Sequence, residues 1–129
     1  MNTSEYKNKL PEILKKAINI KSTSEANFLL ANFLYNNSID ISEEARKMKA
    51  VKPDEIKKKK EIQAKSDEAM NQAIPYAEAV VSLFPGIEKP KGSEKINYKQ
   101  ALVILKNIYE VKKDVAKAAS YDKLIKETE

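Results

Sequence analysis

The sequence predicts an all-α protein, and three observations carry that prediction. Only two glycines and five prolines occur in 129 residues, beside abundant Ala, Leu, Ile, Lys and Glu, a composition that favours helix over sheet. Apolar residues recur at three- and four-residue steps, and no convincing run alternates apolar with polar. The polar and proline-containing breaks fall where helices would end. At this length one domain spanning residues 1–129 is the expectation.

The first helix is expected over residues 4–20, with Thr3 or Ser4 as N-cap and Leu10, Ile13, Leu14, Ala17 and Ile18 as its buried stripe. Pro11 either sits in the first turn of a helix that starts later, near Lys9, or kinks the longer one. A polar break, Lys21-Ser22-Thr23-Ser24, follows, and Ser24 with Asn27 is read as the start of the second helix, which extends over residues 25–49. Phe28, Leu30, Ala31, Phe33, Leu34, Ile39, Ile41, Ala45 and Met48 supply its pattern. At 1.5 Å per residue it would be about 35 Å long. Helices joined so tightly lie antiparallel.

The third helix is expected over residues 54–84, with Pro53 at or just before its first turn and Asp54 and Glu55 beside the positive helix end. Its first half is highly charged, and its second half carries the clearest stripe in the chain: Ala69, Ala73, Tyr76, Ala77, Val80, Val81 and Phe84. Small residues dominate that stripe, so a neighbouring helix can approach closely. Pro75 removes one backbone hydrogen bond and should bend the axis near Asn71. Pairing of its first half with the second half of the second helix would make a long antiparallel hairpin. The segment from Pro85 to Ser93 is the one real loop, with Ser93 as a candidate cap for a fourth helix over residues 94–111. That helix presents Tyr98, Ala101, Leu102, Ile104, Leu105, Ile108 and Tyr109, and after a short turn at Lys112-Lys113-Asp114 a fifth is expected over residues 114–127, with Val115, Ala118, Ala119, Leu124 and Tyr121 as its inner residues.

Cysteine and histidine are both absent. Their absence removes thiol nucleophiles, disulfides, imidazole bases and the usual zinc ligands, so no enzyme, no metal and no cofactor is the expectation. Zero cysteine does not choose a compartment. No apolar run approaches the roughly 20 residues a membrane helix needs, and Met1 is followed by a polar segment. The chain therefore reads as soluble, without transmembrane segment or signal peptide, although a helix pattern that begins almost at once suits a fragment of a longer protein equally. The balance of 24 basic against 19 acidic residues gives +5, and every basic residue but Arg46 is a lysine. Readers of nucleic acid usually cluster Arg with base-reading groups, so a nucleic-acid partner is not favoured.

Two parts of the chain follow one plan. Pro11, Leu14 to Ile18, a polar turn and Phe28 to Tyr35 are echoed by Pro75, the stripe to Phe84, a longer loop and Ala101 to Tyr109. Self-similar helix pairs are how solenoid repeats show in sequence. On these residues the chain resembles tetratricopeptide repeat (TPR) proteins, in particular the bacterial tail domains in which repeat helices are lengthened. Leu30, Ala31 and Leu34-Tyr35 carry the likeness for one first helix, and Ala73 to Tyr76 through Val80 and Pro85 for its second. Ile104, Leu105 and Ile108-Tyr109 match a further first helix, and Lys113 to Ala119 its partner. The family usually has a large aromatic near the start of the first helix, where this chain has Asn27 and Ala101, and residues 37–65 interrupt the first pair. The resemblance implies a superhelix of about five helices, with those extra residues as a projecting helical hairpin and the first helix as the remnant of a preceding repeat.

The resemblance also implies a function: a scaffold or protein-interaction module binding a protein or peptide partner on a concave surface built from first helices. Asn32, Tyr35 and Asn36 would face that groove from one repeat, and Lys99, Lys106 and Tyr109 from the next. Asparagine can hold a peptide backbone by paired donor and acceptor, and lysine can hold a carboxylate. The plainer reading makes the tyrosines half-buried packing residues and the lysines a solvated face. Lys57 to Lys60, with Lys52, offer the alternative of a basic helical module for nucleic acid or an anionic surface, against an ordinary solvated helix face flanked by Asp54, Glu55 and Glu61. Asp40, Glu43 and Glu44 do not converge as a catalytic set, and Glu43 suits Lys47 at i+4. Ile39, Ile41, Met48, Ile56 and Ile62 would zip the hairpin and leave little for a third helix, so a symmetric homodimer through it is a further expectation.

Overall fold

A computed structural model describes residues 3–128 of the chain, with side chains from residue 9 onward. Five α-helices follow one another: α1 (Thr3–Ile20), α2 (Ser24–Lys47), α3 (Pro53–Leu83), α4 (Gly92–Val111) and α5 (Val115–Glu127), with a short 3₁₀ turn, Phe84–Gly86, after α3. Among the described residues there is no strand. The protein is all-α.

Local chemistry sets the starts of α2 to α5, whereas the expected caps of α1, Thr3 and Ser4, lie outside the described side chains. Thr23, rather than Ser24, caps α2: its Oγ1 accepts a hydrogen bond from the Ala26 N–H at 3.1 Å. Asn27 is buried, and its Nδ2 donates to Thr23 O at 2.7 Å and Ser22 Oγ at 2.9 Å, which ties the turn to the helix. α3 opens with Pro53 in its first turn, and the Glu55 carboxylate accepts from the Lys52 N–H at 3.1 Å. α4 uses the same device two residues earlier than expected. Glu94 accepts from the Lys91 N–H at 2.9 Å, and Ser93 lies inside the helix. Asp114 caps α5 through the Lys117 N–H at 3.2 Å.

The turn from α4 to α5 contains the backbone feature that composition conceals. Asp114 N–H bonds to Tyr109 O at 2.9 Å and Lys113 N–H to Glu110 O at 3.1 Å, the paired closure of a Schellman motif. That motif places its penultimate residue in the left-handed region, and Lys113 has φ 60°. Glycine usually fills such a position because a Cβ there crowds the backbone.

α2 and α3 form the longest pairing in the molecule. Where they cross, Ser38 and Ser66 are fully buried, and Ser66 Oγ donates to the Ser38 carbonyl at 2.7 Å. Ser38 Oγ donates to Tyr35 O at 2.6 Å, so both hydroxyls are satisfied. Ala45, Ala69 and Ala73 continue the seam as buried small residues. The hairpin is thus closed by serine and alanine. Of the residues expected to zip it, Ile41, Met48 and Ile62 are half-buried, while Ile39 and Ile56 lie at the surface.

α4 runs antiparallel to α3, because Tyr109 meets Glu78 while Lys112, one residue past the helix, meets Asn71. The half of α3 that precedes Asn71 therefore extends past the end of α4. α3 is helical throughout Pro53–Leu83 with Pro75 inside it. One core cluster joins Leu30, Ala31 and Leu34 of α2, Ala73, Ala77 and Val80 of α3, and Ala101, Leu105 and Ile108 of α4, and it reaches Leu14 of α1 and Ala118 of α5. Phe84 stacks on Tyr98 with ring centroids 4.1 Å apart, pinning the α3–α4 connection.

The outer helices are shallower than the sequence pattern suggests. In α1 only Leu14 is buried among the described side chains, with Leu10 and Ile18 half-buried. Ile13 is 55% exposed, Ile20 is 88% exposed and Ala17 is exposed. In α5 Val115 is 78% exposed and Ala119 is exposed, leaving Ala118 as its buried residue and Tyr121 and Leu124 half-buried. An apolar stripe fixes which side of a helix avoids water, but a helix at the edge of a bundle has a neighbour on only part of that stripe.

Two stability changes follow from this geometry. Lys113→Gly relieves the left-handed Cβ and should raise unfolding free energy by about 1 kcal/mol in denaturant melts. Ser66→Leu forces a large side chain into the α2–α3 seam and removes the bond to Ser38, and should lower it by about 2–3 kcal/mol in the same experiment.

Candidate functional site

A cleft of about 710 Å³ opens between α1 and α2. Leu10, Pro11 and Lys15 form its α1 wall, and Gln72 reaches it from α3. Leu29, Asn32, Phe33, Asn36, Asn37 and Asp40 line it from α2. Their placement follows from helical spacing. Asn32, Asn36 and Asp40 recur every four residues, and Leu29 and Phe33 recur beside them, so an amide-bearing ridge and an apolar ridge run together along α2. Asn32 is half-buried and Asn36 and Asn37 are exposed, leaving their amides directed at the cleft rather than at the core.

The six residues singled out from sequence lie in five places. Asn32 and Asn36 share the cleft. Tyr35, on the adjacent face of α2, is half-buried against the core, and its Oη accepts from Asn107 Nδ2 at 3.2 Å, a link between α2 and α4. Lys106 faces α5, with Asp122 at 3.2 Å and Glu110 at 3.8 Å. Lys99, two turns earlier on α4, is half-buried.

Tyr109 is 5% exposed, at the junction of α3, α4 and α5. Its ring stacks on Tyr121 at 5.8 Å, its Oη donates to Glu78 Oε1 at 3.4 Å, and the Lys117 and Lys112 ammonium groups lie 4.9 and 5.9 Å from its ring centroid. Its position makes it a packing residue with a polar edge. Sequence pattern does not reveal the α1 wall, since which face of α1 meets α2 is a tertiary property. The Asn32-Asn36-Asp40 spacing was a usable signal for the other wall.

Electrostatics are concentrated away from the cleft. Hydrogen bonds from Lys126 and Lys106 hold the Asp122 carboxyl below its usual range, and Arg46, 2.6 Å from Glu43, does the same there. Burial, and then the negative charge of Glu78, push the Tyr109 phenol up, and burial with Glu78 does so for Tyr121. Among the described residues, no three His, Cys, Asp or Glu side chains gather in a way that would hold a metal ion. Among the described residues, no helix is long and apolar enough to cross a membrane.

No protein family, curated protein or solved structure matches the chain.

The raised tyrosines give the fold an alkaline limit. A phenol whose folded pKa lies above its unfolded value of about 10 contributes stability that is fully present below pH 10. That contribution disappears as pH rises through the folded pKa. Thermal melts should therefore show falling stability above about pH 10, and Tyr109→Phe should flatten that decline while leaving the neutral-pH helix signal intact.

Proposed function

We propose that this chain is a non-catalytic protein-interaction module, built on a TPR-like plan, that takes a peptide segment of a partner protein in the cleft between α1 and α2. The observation that carries the reading is the pair of parallel ridges on α2. Asn32, Asn36 and Asn37 offer both donors and acceptors to an extended backbone, and Leu29 and Phe33 offer apolar surface to its side chains. Two features support a repeat-type plan: α2 with α3 and α4 with α5 are successive antiparallel pairs, and α4 packs against both members of the first pair. In that plan residues 37–65 are a projecting hairpin whose base, at Asn37 and Asp40, still borders the binding surface. Tyr109 and Lys106 serve the packing of α4 on its neighbours, so the binding surface is carried by α2 and α1.

The test is a pull-down from the source cell's lysate with mass spectrometry of the bound protein, comparing the wild type, Asn32→Ala/Asn36→Ala and Lys106→Ala. A discrete partner lost in the asparagine double variant and kept by Lys106→Ala is the expected result. Equal retention by all three, or a partner lost only with Lys106→Ala, would overturn the cleft as the binding surface.

A further inference from the structure

Charge is distributed very unevenly along this chain. Residues 46–60 contain eight of its 24 basic residues and two of its 19 acidic ones, a net of +6, so everything else sums to −1. These fifteen residues are the end of α2, the connection and the start of α3, the part of the hairpin most remote from α4.

The basic groups there are also unlike those of the body. Lys106 and Lys126 sit on Asp122. Among the described residues, no lysine from 47 to 60 makes an ion pair, and only Arg46 at the edge of the segment is paired, with Glu43. Of the two acids, Glu55 accepts the Lys52 N–H, and it and Asp54 lie beside the positive end of α3. Lys47 also acts electrostatically on Glu43, and the lysine charges beyond it repel one another, a standing cost that an anionic partner would relieve.

Apolar side chains are exposed at the same place. Val51, between Lys49 and Lys52 at the apex of the connection, is 83% exposed, and Ile56 is 40% exposed. Pro53, Ile56 and Ala64 form a shallow apolar strip bordered by Lys57 and Lys60, with Glu61 at its inner end. The segment holds no aromatic, Ser, Thr, Asn or Gln residue, so it has nothing on which to stack a base and no side chain but lysine and one arginine to donate to a phosphate. An apolar tip ringed by flexible ammonium groups is instead the pattern of a segment resting in a lipid interface, with the alkyl groups among the headgroups and the charges on anionic lipid.

We propose that the tip of the α2–α3 hairpin docks on an anionic phospholipid bilayer surface, with Val51 and Ile56 entering the headgroup layer and Lys49, Lys52, Lys57 and Lys60 facing the lipid phosphates. The surface is separate from the α1–α2 cleft, and its occupation leaves that cleft open.

The test is co-sedimentation of the full chain with vesicles of phosphatidylcholine alone and of phosphatidylcholine mixed with phosphatidylserine, at low and raised salt. Three proteins are compared: wild type, Val51→Asp and Lys52→Gln/Lys57→Gln/Lys60→Gln. All these positions are exposed or lie in the solvent-facing half of the hairpin, and unchanged circular dichroism melts verify folding. Binding should require phosphatidylserine and weaken with salt. The triple variant should lose on the order of 100-fold, at about 1 kcal/mol for each lysine near the surface, and Val51→Asp should lose several-fold with the lysines intact. Failure to sediment with anionic vesicles at low salt would overturn the proposal, as would equal binding by the wild type and both variants. Tighter binding to a DNA or RNA oligonucleotide with Val51→Asp unaffected would also overturn it, in favour of a nucleic-acid surface.

Discussion

The close approach of α2 and α3 is the constraint on which the rest of this fold depends. Two helices of 24 and 31 residues cannot hold together along such a length by propensity, and the hairpin has little large apolar surface to bury. What it has is small side chains at the crossing. Ser38, Ala45, Ser66, Ala69 and Ala73 admit the opposing backbone, and the bonds from Ser66 Oγ to the Ser38 carbonyl and from Ser38 Oγ to the Tyr35 carbonyl satisfy the two hydroxyls that such proximity buries. With that spacing fixed, α4 packs against both helices, placing Leu105 and Ile108 where Leu34, Ala77 and Val80 also bury. α5 is then carried by α4, and α1 by α2. The order of dependence runs outward from the serine-alanine seam.

Much of this was legible in the residues. Five helices, their order, the breaks between them and the buried side of α4 follow from periodicity and from punctuation by Pro, Gly and polar turns. What was not legible has specific physical reasons. Serine counts as polar in any pattern, so Ser38 and Ser66 were invisible as seam residues, while Ile39 and Ile56 looked like the zipper and lie outside it. Their alignment depends on the angle at which α2 meets α3, which no single helix encodes. Lys113 occupies a position where glycine would have announced the turn. Glu94 reaches back to Lys91, which shifts the start of α4 ahead of Ser93. At the candidate site the Asn32-Asn36 pair was readable as a ridge, but the fate of Lys106 and Tyr109 was decided by Asp122, Glu78 and Tyr121, residues on other helices.

The same outward order separates rigid from adaptable parts, and that bears on the proposed function. α2 supplies Leu30, Ala31 and Leu34 to the core and is fixed on its inner side by the seam. α1 supplies one fully packed residue, Leu14, among its described side chains, and a helix with so little buried area opens at low free-energy cost. The α1–α2 cleft thus has one firm wall and one lightly held wall. A peptide lying against Asn32 and Asn36 would find its hydrogen-bonding ridge already in place, because α2 is positioned without it, while Leu10 and Pro11 adjust to its side chains from the other side. On the proposed reading, backbone recognition in such a cleft would be built in, and side-chain selectivity would be set by how α1 settles. For the same reason, substitutions on α1 would alter which sequences bind more than whether the protein folds, and substitutions along the seam would do the reverse.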